Sequence, residues 1–280
     1  MAVALIVIDI IAIGYSISLY LTSPNPTSEP SPIRVSQWSG YMVAPDSQTP
    51  LVTSVSGSWT VPQVKPSENN TFLGVWVGIG GYGEDTLIQT GTEQEYLEGR
   101  VSYYAWYELL PAHLVRIPSL HVRPGDLITA SVSLVSQNAN RWSIEINDLT
   151  RSEQFTKVVV YNSSMQSAEW IIERPLVNDS ISTLANFGNA TFTDCKATIN
   201  GVTGTIGNFS YSQLIMHEDG DTPLVSVSPL NEMGSGFTVT YIETPSATTQ
   251  ADYVTVQSID VFLVHANPSK KKVPNLKQHL

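Results

Sequence analysis

The chain has 280 residues, of which only 14% are charged, with a net charge of −11 and a pI of about 4.8. This length allows one large β domain or two smaller ones. The acidic balance argues against nucleic acid as the main partner, since no basic patch is present to neutralise phosphates. The single cysteine, Cys195, excludes an intrachain disulfide.

The chain opens with an apolar stretch, residues 1–21, that is interrupted at Asp9 and by a few small polar residues. About 20 apolar residues suffice to cross a bilayer as a helix. No Lys or Arg precedes the stretch and no clear Ala-x-Ala site follows it. It is therefore predicted to be an unusual signal peptide or an uncleaved membrane anchor. A buried core helix is the third possibility. Residues 22–35, rich in Pro, Ser and Thr, form the predicted linker. We therefore expect an extracellular monomer that is either secreted or membrane-anchored.

The middle of the chain, residues 36–242, is predicted to consist of strands and turns with almost no helical periodicity. Residues 127–135 show the pattern most clearly, because apolar and polar side chains alternate along them. Many short strands at this spacing predict an all-β protein, a double antiparallel sandwich. Residues 243–280 are predicted to be a linker, one possible further strand and a basic tail.

Five Asn-x-Ser/Thr sequons agree with an exported chain, although a sequence rich in these residues also forms sequons by chance. They begin at Asn69, Asn162, Asn178, Asn189 and Asn208.

Several familiar motifs can be rejected. Residues 78–83 match Gly-x-Gly-x-x-Gly, but a dinucleotide site needs a helix after this turn, and here Glu84 and Asp85 would repel phosphate before a strand begins. The chain has no P-loop, no His-Glu-x-x-His zinc motif and no Asp-Thr-Gly or Asp-Ser-Gly triplet. We therefore expect neither a cofactor nor a metal.

A lone amide, Gln89, lies in an otherwise apolar predicted strand. Burying it unpaired would cost roughly 1–3 kcal/mol, so it needs hydrogen-bond partners or a catalytic task. A satisfied structural glutamine is the simpler interpretation of that segment alone. A second segment, residues 168–173, adds Glu169, and our hypothesis is that Gln89 and Glu169 meet across a sheet as a catalytic pair.

Two other interpretations stay open. The first is a glycosidase: Glu169 and Glu173 share one face of a strand but lie about 13 Å apart, whereas a glycosidase pair needs about 5–9.5 Å. Glu169 could still pair with Glu108 on a neighbouring strand. The second is a carbohydrate-binding sandwich with a stacking platform of Trp76, Tyr103, Trp106 and Trp170.

Several segments together resemble the glutamic peptidases, or eqolisins. Their order and approximate spacing match over about residues 36–242, and the combination is more specific than any single piece. The segments are Ser58-Trp59-Thr60-Val61-Pro62, Trp76-Val77-Gly78-Ile79, Ile88-Gln89-Thr90-Gly91, Ala105-Trp106-Tyr107-Glu108, Ala168-Glu169-Trp170-Ile171 and Ala185-Asn186-Phe187-Gly188.

The resemblance implies an acid endopeptidase that acts on polypeptides, with a concanavalin-like sandwich of two seven-stranded sheets. It places the catalytic Gln–Glu pair on Gln89 and Glu169. It also places Trp76, Trp106 and Glu108 in the substrate cleft. Where the family commonly has Asp this chain has Gly80, so a supporting hydrogen bond is lost or comes from Glu84 or Asp85; this departure favours the carbohydrate-binding alternative.

Overall fold

The computed structural model describes residues 31–44, 51–218 and 222–243. The predicted N-terminal helix, most of the predicted linker and the predicted strand and tail after residue 243 lie outside the described residues. Within them, no helix is long and apolar enough to cross a membrane.

The described residues form strands and one short 3₁₀ helix, Ile206–Asn208. The strands are β1 (Ile33–Val35), β2 (Trp38–Val43), β3 (Val52–Thr60), β4 (Thr71–Gly80), β5 (Leu87–Leu97), β6 (Arg100–Leu109), β7 (Val115–Arg116), β8 (Leu127–Ser136), β9 (Arg141–Asp148), β10 (Glu153–Val160), β11 (Ala168–Glu173), β12 (Leu176–Val177), β13 (Ser180–Ile181), β14 (Asn189–Ile199), β15 (Val202–Thr205), β16 (Tyr211–Met216), β17 (Val225–Val227) and β18 (Phe237–Tyr241).

The strands build two large sheets. Sheet 1 has the order β1-β16-β2-β11-β4-β5-β6-β7, and sheet 2 has the order β10-β9-β8-β3-β14-β18-β17 with β15 paired to β14. The described part of the chain thus has eight strands in each sheet, where seven were predicted, because short strands such as β7 and β15 extend the ladders. β12 and β13 form a separate hairpin.

The predicted linker ends earlier than expected. β1 lies inside residues 22–35 and pairs in parallel with β16, although the other pairs of sheet 1 are antiparallel. Its apolar residues Ile33 and Val35 pack against the cluster that contains Leu214 of β16, and this packing explains why a segment next to a Pro-rich run joins the sheet.

The main core fills the space between the sheets. On β11 the alternation is clear, because Ala168, Trp170 and Ile172 belong to this core. The intervening residues, Glu169, Ile171 and Glu173, therefore project from the opposite face of sheet 1. A second, smaller apolar cluster covers part of that outer face, and it consists of Met42, Trp76, Leu87, Trp106, Ile171 and Leu214. The polar side chains of interest lie on this face.

Candidate active site

Strand register brings the two residues predicted as a catalytic pair to the same face. Gly78 on β4 is the partner of Gln89 on β5 and also the partner of Glu169 on β11. Two ladder spacings, about 10 Å in total, separate their backbones, and only a glycine lies between them. The sequence therefore predicted correctly that these two segments meet across a sheet.

Glu169, however, lies apart from the open cleft. Its side chain is 0% exposed and neither carboxyl oxygen has a hydrogen-bond partner among the described residues. Glu173, four residues further along the same strand, is partly exposed and borders the cleft. Of the two glutamates on β11, Glu173 is the one that borders the cleft together with Gln89.

The cleft lies on the outer face of sheet 1 and has a volume of about 610 Å³. Its polar and titratable lining side chains are Ser36, Gln37, Gln89, Glu93, Glu108, His113 and Glu173. The other lining residues include apolar and aromatic side chains that can pack against substrate, namely Val35, Trp38, Tyr82, Leu87, Trp106, Leu110, Leu114, Pro175 and Leu176.

The resemblance placed Trp76 in the substrate cleft, but Trp76 does not border the cleft. It lies beneath Glu173 and supports its carboxyl group. Its side chain is fully buried. Its indole Nε1 donates a 2.8 Å hydrogen bond to Glu173 Oε2, and its ring packs edge-on against Trp38 with centroids 5.0 Å apart. Trp38, which the sequence analysis did not select, is the strand partner of Glu173 on β2.

Two glycines make room for Trp76. A Cβ at Gly78 would lie 2.9 Å from Trp76 Cζ3, so this glycine leaves space for the indole. A Cβ at Gly91 would lie 2.6 Å from Trp76 Cβ and 2.2 Å from Val75 O, so no larger residue fits there without a backbone shift. Gly78 is therefore required by the indole, and Gly91 by the close approach of β4.

Gln89 is held by Glu108, its partner on β6. Gln89 Nε2 donates a 2.7 Å hydrogen bond to Glu108 Oε2, while Gln89 Oε1 is buried without a partner in the described part of the chain. An amide nitrogen has two hydrogens, so one N–H remains for another acceptor. Glu108 and Trp106 both border the cleft, and Glu108 orients the amide of Gln89.

The carboxyls of this face are electrostatically linked. Burial raises the pKa of Glu173 to about 7; the indoles of Trp38 and Trp76 oppose the rise and the charge of Glu108 adds to it. Burial also raises the pKa of Glu108, and hydrogen bonding from Gln89 opposes that shift.

The pKa values of the two other buried glutamates on this face, Glu93 and Glu169, are also raised. The pKa of Glu93 lies well above its usual range because of burial and the charges of Glu95 and Glu173, and burial does the same to the pKa of Glu169. These four glutamates therefore favour their neutral forms in acid. Among the described residues, no group of three or more His, Cys, Asp or Glu side chains is arranged to hold a metal ion.

A comparison with protein families shows the family to which this chain belongs. The model of the Peptidase A4 family matches residues 36–256 of this chain. The chain belongs to the Peptidase A4 family. The resemblance to glutamic peptidases predicted from the sequence is thereby confirmed, and the chain is an endopeptidase of the glutamic type.

Individual members show the same relationship. Aspergillopepsin-2 of Aspergillus niger is 28% identical over 231 residues, which cover 74% of this chain and 78% of that protein. The crystal structure of aspergilloglutamic peptidase from Aspergillus niger is 30% identical, covers 61% of this chain and 99% of its own, and has a TM-score of 0.55. Scytalido-glutamic peptidase, crystallised with a peptide-based transition state analogue, is 24% identical, covers 74% of this chain and 98% of its own, and has a TM-score of 0.62.

In this Peptidase A4 chain, the backbone conformation explains Gly80. Its φ is +89°, and a Cβ at this position would lie 2.5 Å from Thr86 O. A side chain, including the Asp expected from the resemblance, would clash in this conformation. The carboxylate that supports Gln89 is Glu108, and not Glu84 or Asp85 as the sequence analysis considered.

The aromatic platform of the carbohydrate-binding alternative does not exist in this fold. Trp170 is fully buried in the core between the sheets and Tyr103 packs against that core, whereas Trp76 and Trp106 belong to the outer cluster. The four rings therefore lie on opposite faces of sheet 1 and cannot present one stacking surface.

Proposed function

We propose that this chain cleaves internal peptide bonds of polypeptides in the cleft of sheet 1, with Glu173 as the proton-transfer residue and Gln89 as the hydrogen-bond donor to the reacting carbonyl. One observation carries the proposal: Gln89 and Glu173 border the same cleft, and each is held by its own partner, Glu108 and Trp76 respectively.

The sequence analysis assigned the proton-transfer role to Glu169, and the geometry supports Glu173 better. A general base must reach a water that also contacts the substrate, with about 2.6–3.2 Å between the base oxygen and the oxygen or nitrogen whose proton it moves. Glu173 borders the cleft, and the indole of Trp76 holds its carboxyl group. Glu169 is fully buried and does not border the cleft, and its polar neighbour is the Ser167 hydroxyl, which opposes the rise in its pKa.

The reaction follows from these positions. Ionised Glu173 takes a proton from a water molecule, and the oxygen of that water forms a bond to the carbonyl carbon of the peptide. The second N–H of Gln89 Nε2 donates to the oxyanion that develops on the carbonyl oxygen. Glu173 then gives its proton to the amide nitrogen, the C–N bond breaks, and the amine leaves. Because the amide of Gln89 does not ionise, this donor is present at every pH in which the fold is stable.

The pKa of about 7 for Glu173 shifts the expected working range. The resemblance implied cleavage in acid, where a carboxyl of ordinary pKa is still a usable base. With a pKa near 7, the ionised fraction of Glu173 falls about tenfold for each pH unit below 7. We therefore expect kcat/KM to rise as the pH increases from 3 to 7. An optimum near pH 3 would instead mean that protonated Glu173 acts first, as an acid.

Digestion of an unfolded protein tests the proposal. Casein is incubated with wild-type protein and with Glu173→Gln between pH 3 and pH 7, with pepstatin present to suppress contaminating aspartic peptidases. Wild type should produce internal fragments by mass spectrometry, and Glu173→Gln should not. Intact casein with the wild-type protein at every pH would reject the proposal.

The setting of the reaction is part of the same proposal: an extracellular monomer, secreted or anchored through residues 1–21. Its support is the apolar sequence of that stretch. Mass spectrometry of the mature N-terminus separates a cleaved signal from a retained anchor, and sedimentation gives the oligomeric state.

A further inference from the structure

The hairpin of β12 and β13 stands at the rim of the cleft. Leu176 pairs with Ile181, and the turn between the strands consists of Asn178 and Asp179. Both turn residues have positive φ, 52° and 60°, as a tight two-residue hairpin turn requires. Leu176 itself borders the cleft. Asn178 therefore lies at the tip of a short arm that begins at the cleft wall.

Asn178 is also the first residue of the sequon Asn178-Asp179-Ser180. All three residues are exposed. Within the described residues, no hydrogen bond involves the side chain of Asn178. Its amide nitrogen, Nδ2, is therefore accessible on the folded domain, and so is the Ser180 hydroxyl that a glycosyltransferase must recognise.

The apolar side chains of the hairpin lie beside this turn. Leu176 is 58% exposed and Ile181 is 43% exposed, and they face each other across the two strands. Leu176 also borders the cleft. An oligosaccharide on the adjoining turn is bulky, so it would stand next to the part of the rim where substrate packs.

We propose that Asn178 is an N-glycosylation site whose oligosaccharide stands at the rim of the peptidase cleft. In the transfer, Asn178 Nδ2 forms a bond to C1 of the first sugar of a lipid-linked oligosaccharide. The bond between C1 and the lipid phosphate breaks, Nδ2 loses one proton, and the lipid phosphate leaves as the protonated product. No electrons are exchanged and no residue of the catalytic site takes part.

The position at the rim has a consequence that rests on the proposed function. A short peptide can enter the cleft beside a glycan, whereas a folded protein must bring a large surface against the rim. The glycan should therefore reduce the cleavage of protein substrates relative to short peptides.

Mass spectrometry of the full chain, secreted from a host that glycosylates sequons, tests the site. Peptide N-glycosidase should convert Asn178 to Asp in the wild-type peptide. Asn178→Gln and Ser180→Ala should each lower the protein mass by one glycan, while Ser180→Thr, which keeps the sequon, should retain it. Unmodified Asn178 in the secreted wild type would overturn the proposal.

Kinetics then test the position. Asn178→Gln should increase the ratio of protein cleavage to short-peptide cleavage. Asn189→Gln is the matched control, because Asn189 is exposed at the start of β14 in sheet 2 and should leave the ratio unchanged. An unchanged ratio in Asn178→Gln, with Asn178 glycosylated in wild type, would overturn the rim role. Absence of cleavage in every variant would reject the proposed function and leave the mass result standing.

Discussion

The two glutamates of β11 have the same strand, the same face and the same side chain, yet different surroundings. Glu169 lies in the row of residues that contains Met42 and Gly78, where it is sealed and has no described hydrogen-bond partner. Glu173 lies in the row that contains Trp38 and Gly74, where the indole of Trp76 binds it and the cleft opens beside it. Periodicity assigns both residues to one face, but the neighbours across the ladder decide which of them can meet a substrate.

Among the residues around Glu169 and Glu173, Gln89 should show the largest effect on kcat when it is replaced by Ala. The replacement removes the donor to the oxyanion, and loss of one such donor typically costs about 10²–10³ in kcat. Steady-state kinetics with a quenched fluorescent peptide measure the change. Gln166→Ala, at an exposed position, is the control. A kcat of Gln89→Ala within the error of wild type would remove Gln89 from the mechanism.

Trp76→Phe tests whether the hydrogen bond from the Trp76 indole stabilises the ionised form of Glu173. The change keeps an aromatic ring but removes the N–H donor to Glu173 Oε2, so the ionised form of Glu173 loses a stabilising partner. A hydrogen bond to a charged group contributes about 1.5–3 kcal/mol, which corresponds to an upward shift of about one to two units in the acidic limb of the kcat/KM profile.

The control for Trp76→Phe is Trp59→Phe. Trp59 is buried in the core and its Nε1 donates to Thr92 Oγ1 over 3.1 Å. Its replacement should lower the free energy of unfolding without moving the pH profile. Equal pH shifts in the two variants would show that the shift reports general loosening of the fold.

Glu169→Gln should show the smallest effect, and only on stability. The pKa of Glu169 is raised in the native state, so between its unfolded and native pKa values the native state binds more protons than the unfolded state. The stability contributed by this proton is complete below the unfolded pKa, near 4.3, and is lost as the pH rises through the native value.

Glutamine cannot ionise, so Glu169→Gln should have a higher Tm than wild type at pH 7 and a similar Tm at pH 4. Calorimetry at the two pH values measures this. Glu68→Gln, on an exposed loop, is the control and should change neither value. A lower Tm of Glu169→Gln at pH 7 would show that the buried carboxyl stabilises the fold in its charged form.

Much of the architecture could be predicted from the sequence because strand periodicity is local. The alternation in residues 127–135 gave β8, and the segments around Gln89 and Glu169 were correctly expected to meet across a sheet. The short edge strands of sheet 1 could not be predicted, since β1 and β7 have only three and two residues and depend on their partners for pairing.

The choice between two acids depended on information that no single segment contains. The spacing of Glu169 and Glu173 showed that both share a face, and Glu173 was considered only as a glycosidase partner. Glu173 could be chosen as the proton-transfer residue only once its pairing with Trp38 on β2 was known. Likewise, Trp76 could be recognised as its hydrogen-bond donor only from the position of the buried indole. Glu93 was missed for the same reason, since it enters the cleft only because Gly74 separates it from Glu173 in the ladder.

The account is tested most directly by kcat/KM for one peptide substrate, measured with wild type, Glu173→Gln and Glu169→Gln at pH 6. Removal of a general base typically costs about 10²–10⁴, and we expect a loss of this size in Glu173→Gln and wild-type activity in Glu169→Gln. Wild-type activity in Glu173→Gln together with a comparable loss in Glu169→Gln would contradict the assignment and return the catalytic role to the buried glutamate.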